Sequence, residues 1–255
     1  EGGPFYIKEF HDVFCFNSYI VNNAIREFGL INGEKLQVKN CVFRNNTATS
    51  GDGAAVYVQS CKKIQIERTH FAFYFGKAYG VGIYAKNCKT VFVKKIYFLF
   101  SSALSSSGDV LYIKYSDYVY CFSCVFAENS LGSITVQRGD VFLIKNCTFK
   151  NNTGHYGMGL YISKTERIRI ERTDFMFNSA SEMAGVIYVD EYELLRINCS
   201  RFLSNAALAN GGGIYALEGQ LIVIENSFFV YNSGNSGGGV YIQEAEVHIT
   251  QSQFI

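Results

Sequence analysis

Eight cysteines carry the most reactive side chains of this 255-residue chain. They are Cys15, Cys41, Cys61, Cys88, Cys121, Cys124, Cys147 and Cys199. Cys121 and Cys124 form one Cys-x-x-Cys motif, but no second pair follows at zinc-site spacing and no histidine lies nearby in the sequence. We therefore predict no metal site and no cofactor, and disulfide formation is the cysteine chemistry left open.

The acidic side chains and the histidines are scattered along the chain. Hydrolytic and lyase active sites need carboxylates grouped on one face, with a base or an arginine beside them. No two of the seven aspartates lie two or three residues apart. The densest charged cluster mixes both signs and is typical of a solvated surface; it contains Arg169, Glu171, Arg172, Asp174, Arg196 and Arg201. We predict no catalytic residue.

Composition excludes several classes of function. The chain has 23 basic and 22 acidic residues, so it lacks the basic surface that nucleic acids or anionic lipids attract. It is 48% hydrophobic, but no apolar run is long enough to span a membrane. The 24 glycines and the single proline indicate stacked strands, which tolerate glycine at corners and exclude proline from hydrogen-bonded ladders.

A repeat of about 26 residues organises the chain. A phenylalanine marks each copy: Phe43, Phe71, Phe98, Phe126, Phe149, Phe175, Phe202, Phe229 and Phe254. In six copies an asparagine follows three residues later, at Asn46, Asn129, Asn152, Asn178, Asn205 and Asn232. Since asparagine tolerates the left-handed backbone conformation and its amide can bond its neighbours, we predict a ladder of asparagines at a turn.

Three short strands fit each repeat. The residues seven and five before each phenylalanine are apolar, and those around a recurring tyrosine are aliphatic, which is the alternation of half-buried strands. Polar pairs such as Glu171-Arg172 predict bends. The chain is therefore predicted to be an all-β, single-stranded parallel β-helix of nine to ten coils over residues 36–255, about 45 Å long, and the preference of parallel crossovers predicts that it is right-handed. Residues 1–35 keep the period poorly and are predicted to be an irregular first coil or a junction.

The repeat carries a family resemblance. Phe202 to Asn205 precede Gly212-Gly213-Ile214, and Phe229 to Asn232 precede Gly238-Gly239-Val240. This pairing resembles the repeats of the chlamydial polymorphic outer membrane proteins and, more broadly, the right-handed parallel β-helix or pectin-lyase-like superfamily. The resemblance implies a surface-displayed adhesive or structural rod, as in similar large surface proteins.

The tyrosine column is the predicted contact surface. Its flanking residues point inward, so the rings point outward as a stripe: Tyr57, Tyr84, Tyr112, Tyr161, Tyr188, Tyr215 and Tyr241, with Thr135 in the shortened repeat. Phe92, Tyr97, Tyr118, Tyr120 and Phe122 extend it. Three interpretations are open: stacking without a partner, an interface with protein subunits in self-assembly or with a surface partner, and a platform for glycans.

Cysteines and sequons bear on the compartment. Neighbouring coils lie close enough for three bridges, Cys61 to Cys88, Cys124 to Cys147 and Cys15 to Cys41, with Cys121 in the core and Cys199 unpaired. The alternative is a reduced chain in which cysteine is a small core residue. Asn-x-Ser/Thr sequons at Asn45, Asn146, Asn151 and Asn198 are candidate glycosylation sites. Together these features favour an extracellular or cell-surface location.

The sequence thus predicts a non-catalytic structural or adhesive β-helical module of a surface protein or filament. The alternative is a polysaccharide lyase or hydrolase of the pectin-lyase-like superfamily. Because the last repeat has no polar cap, we expect either that the repeats continue beyond the chain end or that subunits stack end to end.

Overall fold

The computed structural model describes residues 5–22, 28–48, 55–76, 80–103, 109–130, 132–182 and 184–255, and these residues form strands and bends without a helix. The first fifteen strands are β1 Phe5–Phe16, β2 Tyr19–Val21, β3 Phe28–Lys39, β4 Val42–Arg44, β5 Thr47–Ala48, β6 Val56–Glu67, β7 His70–Ala72, β8 Phe75–Gly76, β9 Ile83–Lys86, β10 Thr90–Lys94, β11 Tyr97–Leu99, β12 Ser102–Ala103, β13 Asp109–Lys114, β14 Tyr118–Phe122 and β15 Val125–Ala127. The remaining strands are β16 Gly132–Lys145, β17 Thr148–Lys150, β18 Thr153–Gly154, β19 Leu160–Glu171, β20 Asp174–Met176, β21 Ser179–Ala180, β22 Ile187–Asn198, β23 Arg201–Leu203, β24 Ala206–Ala207, β25 Ile214–Glu225, β26 Phe228–Val230, β27 Val240–Gln243, β28 Glu246–Thr250 and β29 Gln253–Phe254.

All the pairing between the described strands is parallel, and each strand pairs with its counterpart one coil away. One sheet of thirteen strands holds the tyrosines and the apolar pairs, and a second sheet of ten strands holds the phenylalanines. Two further sheets have three strands each, β12-β8-β5 and β18-β21-β24. In a coil that contributes to one of them, the short strand follows the strand of the second sheet along the chain. The prediction of an all-β parallel β-helix is therefore confirmed, with about eight turns of about 27 residues where nine to ten coils of about 26 were expected.

Two details differ from the expected strands. The tyrosine strand and the apolar-pair strand are one bent strand in most coils, as in β19, rather than two separate strands. In addition, β1 pairs in register with β3, so the described part of residues 1–35 contributes a first coil to the same sheet. Residues 1–4 and 23–27 lie outside the described chain, and the domain boundary at residue 36 stays a prediction.

Three bends in each coil contain a residue in the left-handed backbone conformation. Examples are Lys164, Arg172 and Phe177, with φ of 54°, 47° and 57°, and each is followed by a buried residue, Thr165, Thr173 or Asn178. The left-handed residue turns the chain while the neighbouring coils keep their parallel hydrogen bonds. The predicted bend at Glu171-Arg172 is confirmed.

The phenylalanine column forms the core of the second sheet. Its rings stack from Phe43 to Phe254, with centroids 4.3 to 5.2 Å apart between successive coils. The rings from Phe43 to Phe229 are at most 1% exposed. In-register stacking places identical side chains at the coil spacing, so the two neighbours of an interior ring remove both of its faces from water.

The asparagine ladder is buried beside these rings. Asn178 donates from Nδ2 to Oδ1 of Asn205 at 3.0 Å and to the backbone carbonyl of Phe149 at 3.1 Å. The same bonds recur from Asn129 to Asn232. The predicted amide ladder is present, but the left-handed residue is the one before each asparagine. The asparagine is buried because its side chain satisfies the inward-facing polar groups of the bend.

Candidate functional site

The outward tyrosines form two stacked runs on the first sheet. Tyr57, Tyr84 and Tyr112 stack with centroids 5.1 and 5.3 Å apart. The second run comprises Tyr161, Tyr188, Tyr215 and Tyr241, with spacings of 4.8, 5.7 and 5.0 Å. Interplanar angles of 3° to 17° make the rings nearly parallel. We call these two runs the tyrosine ladder.

Stacking limits what the tyrosine ladder presents to solvent. Tyr84, Tyr112 and Tyr215 are only 6 to 7% exposed, and the other four rings are partly buried. Because each ring covers the face of the next, the ladder presents ring edges and hydroxyl groups rather than open ring faces. A sugar platform needs open faces, so this geometry favours stabilisation of the sheet or contact with a protein over a glycan platform.

Thr135 occupies the tyrosine position between the two runs of the ladder, and its hydroxyl group contacts a carboxyl group. Thr135 lies in register between Tyr112 and Tyr161, and its hydroxyl donates to Oδ2 of Asp109 at 2.7 Å. Burial raises the pKa of Asp109 to about 7, partly opposed by the hydrogen bond from Thr135. Asp190, near the second run, also has a raised pKa because of its burial.

Replacing Asp109 by Asn is expected to change how stability depends on pH. The folded chain holds the Asp109 proton up to about pH 7, while the unfolded chain releases it near 3.8. The folded state therefore binds more protons between these values, and the free energy of unfolding falls as pH rises through that window, by up to about 4 kcal/mol for this group. Asp109→Asn keeps the acceptor for Thr135 and cannot ionise.

Urea unfolding of both proteins from pH 4 to 8 measures this effect. We expect the wild type to lose stability relative to Asp109→Asn as pH rises, with the variant more stable at pH 8. Parallel stability curves for the two proteins would show that Asp109 does not carry a raised pKa.

The other predicted interface aromatics lie on two faces. Phe92, Tyr118, Tyr120 and Phe122 lie on β10 and β14 of the first sheet, where Phe92 meets Phe122 edge to face at 5.6 Å. Tyr97 lies on β11 of the second sheet and stacks on His70 at 4.7 Å. Tyr97 and Tyr118 are exposed, by 39% and 36%, while the other three are partly buried.

Sequence reasoning missed a column of exposed aromatic residues at the third bend, two residues after each core phenylalanine. Its aromatic members are Phe73, Phe100, Phe177 and Tyr231, which are 45 to 72% exposed at φ of 53° to 58°. Bulky residues rarely adopt this conformation. Phe73 and Phe100 stack at 5.2 Å, and the Arg44 guanidinium lies 5.1 Å from the Phe73 ring. A fixed offset from the core phenylalanines was the signal that could have found them.

All eight cysteines are free thiols in the structure. The Sγ atoms of Cys15 and Cys41 lie 3.5 Å apart. Cys61 and Cys88 occupy adjacent coils, as the register of Gln59 with Lys86 requires. Cys199 is exposed. The three predicted disulfide bridges stay a prediction. Cys121, Cys124 and Cys147 lie together, and these three thiols are one more than a single disulfide uses.

The sequons lie at bends. Asn45, Asn146 and Asn151 are left-handed residues, and Asn198 directly precedes the left-handed Cys199. Asn45 and Asn146 are exposed, whereas Asn151 and Asn198 are partly buried. Asn151 donates to Oε1 of Glu128 at 2.6 Å. A glycan on any of the four stays a prediction.

The predicted charged cluster pairs across coils. Glu171 bonds Lys145 at 2.8 Å, Arg196 bonds Glu225 at 2.7 Å, and Arg201 bonds Asp174 at 3.0 Å. These side chains are between 27 and 50% exposed, so the pairs lie at the surface. Exposed pairs of this kind contribute about 0 to 1 kcal/mol each, which is the behaviour of a solvated charge ladder.

Among the residues that the structure describes, no helix is long and apolar enough to cross a membrane. Comparison with curated proteins and with solved structures gave no match. The repeat of the Chlamydia polymorphic membrane proteins matches residues 40–59, which suggests a surface protein. A family model described as a right handed beta helix region matches residues 73–205, more than half of the chain. The parallel coils and this match show that the chain belongs to the right-handed β-helix family.

Proposed function

We propose that the chain is a non-catalytic, extracellular structural or adhesive module of a surface protein or filament, and that its outward aromatic residues contact other protein subunits. The match to the Chlamydia polymorphic membrane protein repeat supports the surface location. The observation that carries the contact is the column of exposed aromatic residues at the third bend, since exposed apolar patches mark interfaces.

The third-bend aromatics support a protein contact most directly. Phe73 and Phe100 expose 45% and 50% of their surface while holding a backbone conformation that disfavours them. Folding alone would favour asparagine there, as at Asn45 and Asn151. The stacking of Phe73 on Phe100 offsets part of this folding cost, and we assign the rest to a contact outside the folded chain.

Phe73→Asn with Phe100→Asn separates folding from association. Asparagine suits the left-handed backbone, so we expect an unchanged or higher melting temperature together with weaker self-association. Analytical ultracentrifugation measures the association, and thermal unfolding measures the stability. A second variant, Tyr188→Ser with Tyr215→Ser, is expected to weaken association more than folding. Unchanged association in both variants would contradict the proposed contact surface.

A polysaccharide lyase or hydrolase is the alternative, because the β-helix fold also occurs in enzymes. Asp109 and Asp190 are the two aspartates with raised pKa on the outer face. Asp109 accepts a hydrogen bond from Thr135 at 2.7 Å, and Asp190 lies in register with Ser163, whose hydrogen bond partly opposes the rise in the pKa of Asp190. Each of the two carboxyl groups is therefore bound by a hydroxyl group of a neighbouring coil. Release of reducing or unsaturated ends from acidic polysaccharides, with and without calcium, tests the alternative.

A further inference from the structure

Three buried thiols from neighbouring coils meet in the core. Cys121 ends the inner apolar pair of β14, while Cys124 and Cys147 follow the second bend in consecutive coils. Their Sγ atoms all lie within 4.8 Å of one another, and those of Cys121 and Cys147 are 3.7 Å apart. The three residues are at most 2% exposed. The Cys-x-x-Cys motif thus gains a third sulfur from the next coil, which a search for a second motif could not find.

This spacing fits three sulfur ligands around one ion. A metal–sulfur bond of about 2.3 Å places the ligand sulfurs about 3.8 to 4.0 Å from one another. A disulfide, in contrast, brings two sulfurs to about 2.05 Å and leaves the third thiol without a role. Cys15 and Cys41 form a comparable pair within this chain. They are separated by 26 residues, as Cys121 and Cys147 are, but this pair contains only two thiols.

The ligand set selects a soft ion of low coordination number. Thiolate sulfur favours monovalent copper, zinc and iron–sulfur clusters. Structural zinc and the common iron–sulfur clusters take four protein ligands. Within the described chain, no fourth His, Cys, Asp or Glu joins the three thiols. The strand partners of Cys121 are Val93 and Ile144, so the surroundings are aliphatic.

Copper binding replaces protons at the sulfur atoms. Thiolate is the form of cysteine that binds metals, so each sulfur that binds the ion releases its proton: Cu⁺ + 3 RSH gives Cu(SR)₃²⁻ + 3 H⁺. The oxidation states of copper and sulfur are unchanged. The backbone N–H of Cys124 lies 3.4 Å from Sγ of Cys147 and donates a hydrogen bond to it.

We propose that Cys121, Cys124 and Cys147 form a buried three-sulfur site for one monovalent copper ion, in place of the bridge from Cys124 to Cys147 and of the absent metal site that the sequence predicts. Because the sulfurs are enclosed by packed coils, the ion enters while the chain folds rather than by diffusion into the finished solenoid. The ion then ties two consecutive coils together from within. This inference is independent of the proposed contact surface.

The test is refolding of the reduced, denatured chain under argon with the acetonitrile complex of copper(I), followed by removal of loose copper with a chelator. We expect one copper per chain in the wild type and in Cys199→Ser, whose thiol is exposed. We expect a loss of at least tenfold in retained copper in Cys147→Ser. Cys41→Ser removes one thiol of the two-thiol pair and is expected to retain the copper.

X-ray absorption of the loaded wild type keeps the test independent of variant folding, and three sulfur neighbours at about 2.3 Å are expected. Several results would overturn the proposal: no retained copper, copper unaffected by Cys147→Ser, two sulfur neighbours only, or zinc retained in preference to copper. A disulfide from Cys147 to Cys121 or Cys124 in protein purified without reductant would also overturn it.

Discussion

Phe175→Ala is expected to be among the most destabilising single substitutions in this chain, with a loss of about 3 to 5 kcal/mol in the free energy of unfolding. The Phe175 ring is fully buried and stacks on Phe149 at 4.9 Å and on Phe202 at 4.8 Å. Its removal leaves a cavity between two rings that the coil spacing holds apart. Since each coil contacts only its neighbours, the loss falls on two successive interfaces.

Phe177→Ala is the matched control, two residues further along the same coil. Phe177 is 48% exposed at a left-handed bend, so its truncation is expected to change stability by less than about 0.5 kcal/mol. Urea unfolding followed by circular dichroism measures both variants. Equal losses at the two positions would show that the phenylalanine column does not carry the core.

The repeat could be predicted from the sequence because in-register stacking returns each residue type to the same environment. The core column from Phe43 to Phe254 and the bend at Arg172 were therefore visible as fixed spacings. The number of strands in each coil was harder to predict from the sequence. One left-handed residue, such as Lys164, bends a strand without ending its hydrogen bonds, and no residue type is specific to that role.

The sequence predicted the direction in which the tyrosine side chains point, but not how much of each ring is exposed to solvent. Alternation along a strand places Tyr215 on the outer face, but only the structure shows that its neighbours leave it 7% exposed. Contacts between residues at different positions of the repeat could not be predicted either. Cys121 belongs to the apolar pair and Cys147 follows the bend, and the repeat does not give the distance between these two positions.

Asn178→Asp is expected to destabilise the folded chain more than Asn178→Ala at neutral pH. Alanine leaves the carbonyl of Phe149 and the backbone N–H of Asn152 without their partner, at a cost of roughly 1 to 3 kcal/mol each. An ionised aspartate at 178 keeps the acceptor for the backbone N–H of Asn152, but it is a buried charge that faces two acceptors, Oδ1 of Asn205 and the Phe149 carbonyl.

Acid is expected to restore part of the stability of Asn178→Asp, because a protonated carboxyl group can donate to one of these oxygens. Burial and the two acceptors raise the folded-state pKa of the new carboxyl group above its unfolded value of about 3.9, so its stability is lost as pH rises. Asn146→Asp, at an exposed left-handed bend, is the control and is expected to be nearly neutral. Urea unfolding from pH 3.5 to 8 compares the three variants. If Asn178→Asp showed the same pH profile as Asn178→Ala, the amide ladder would not depend on its donor hydrogens.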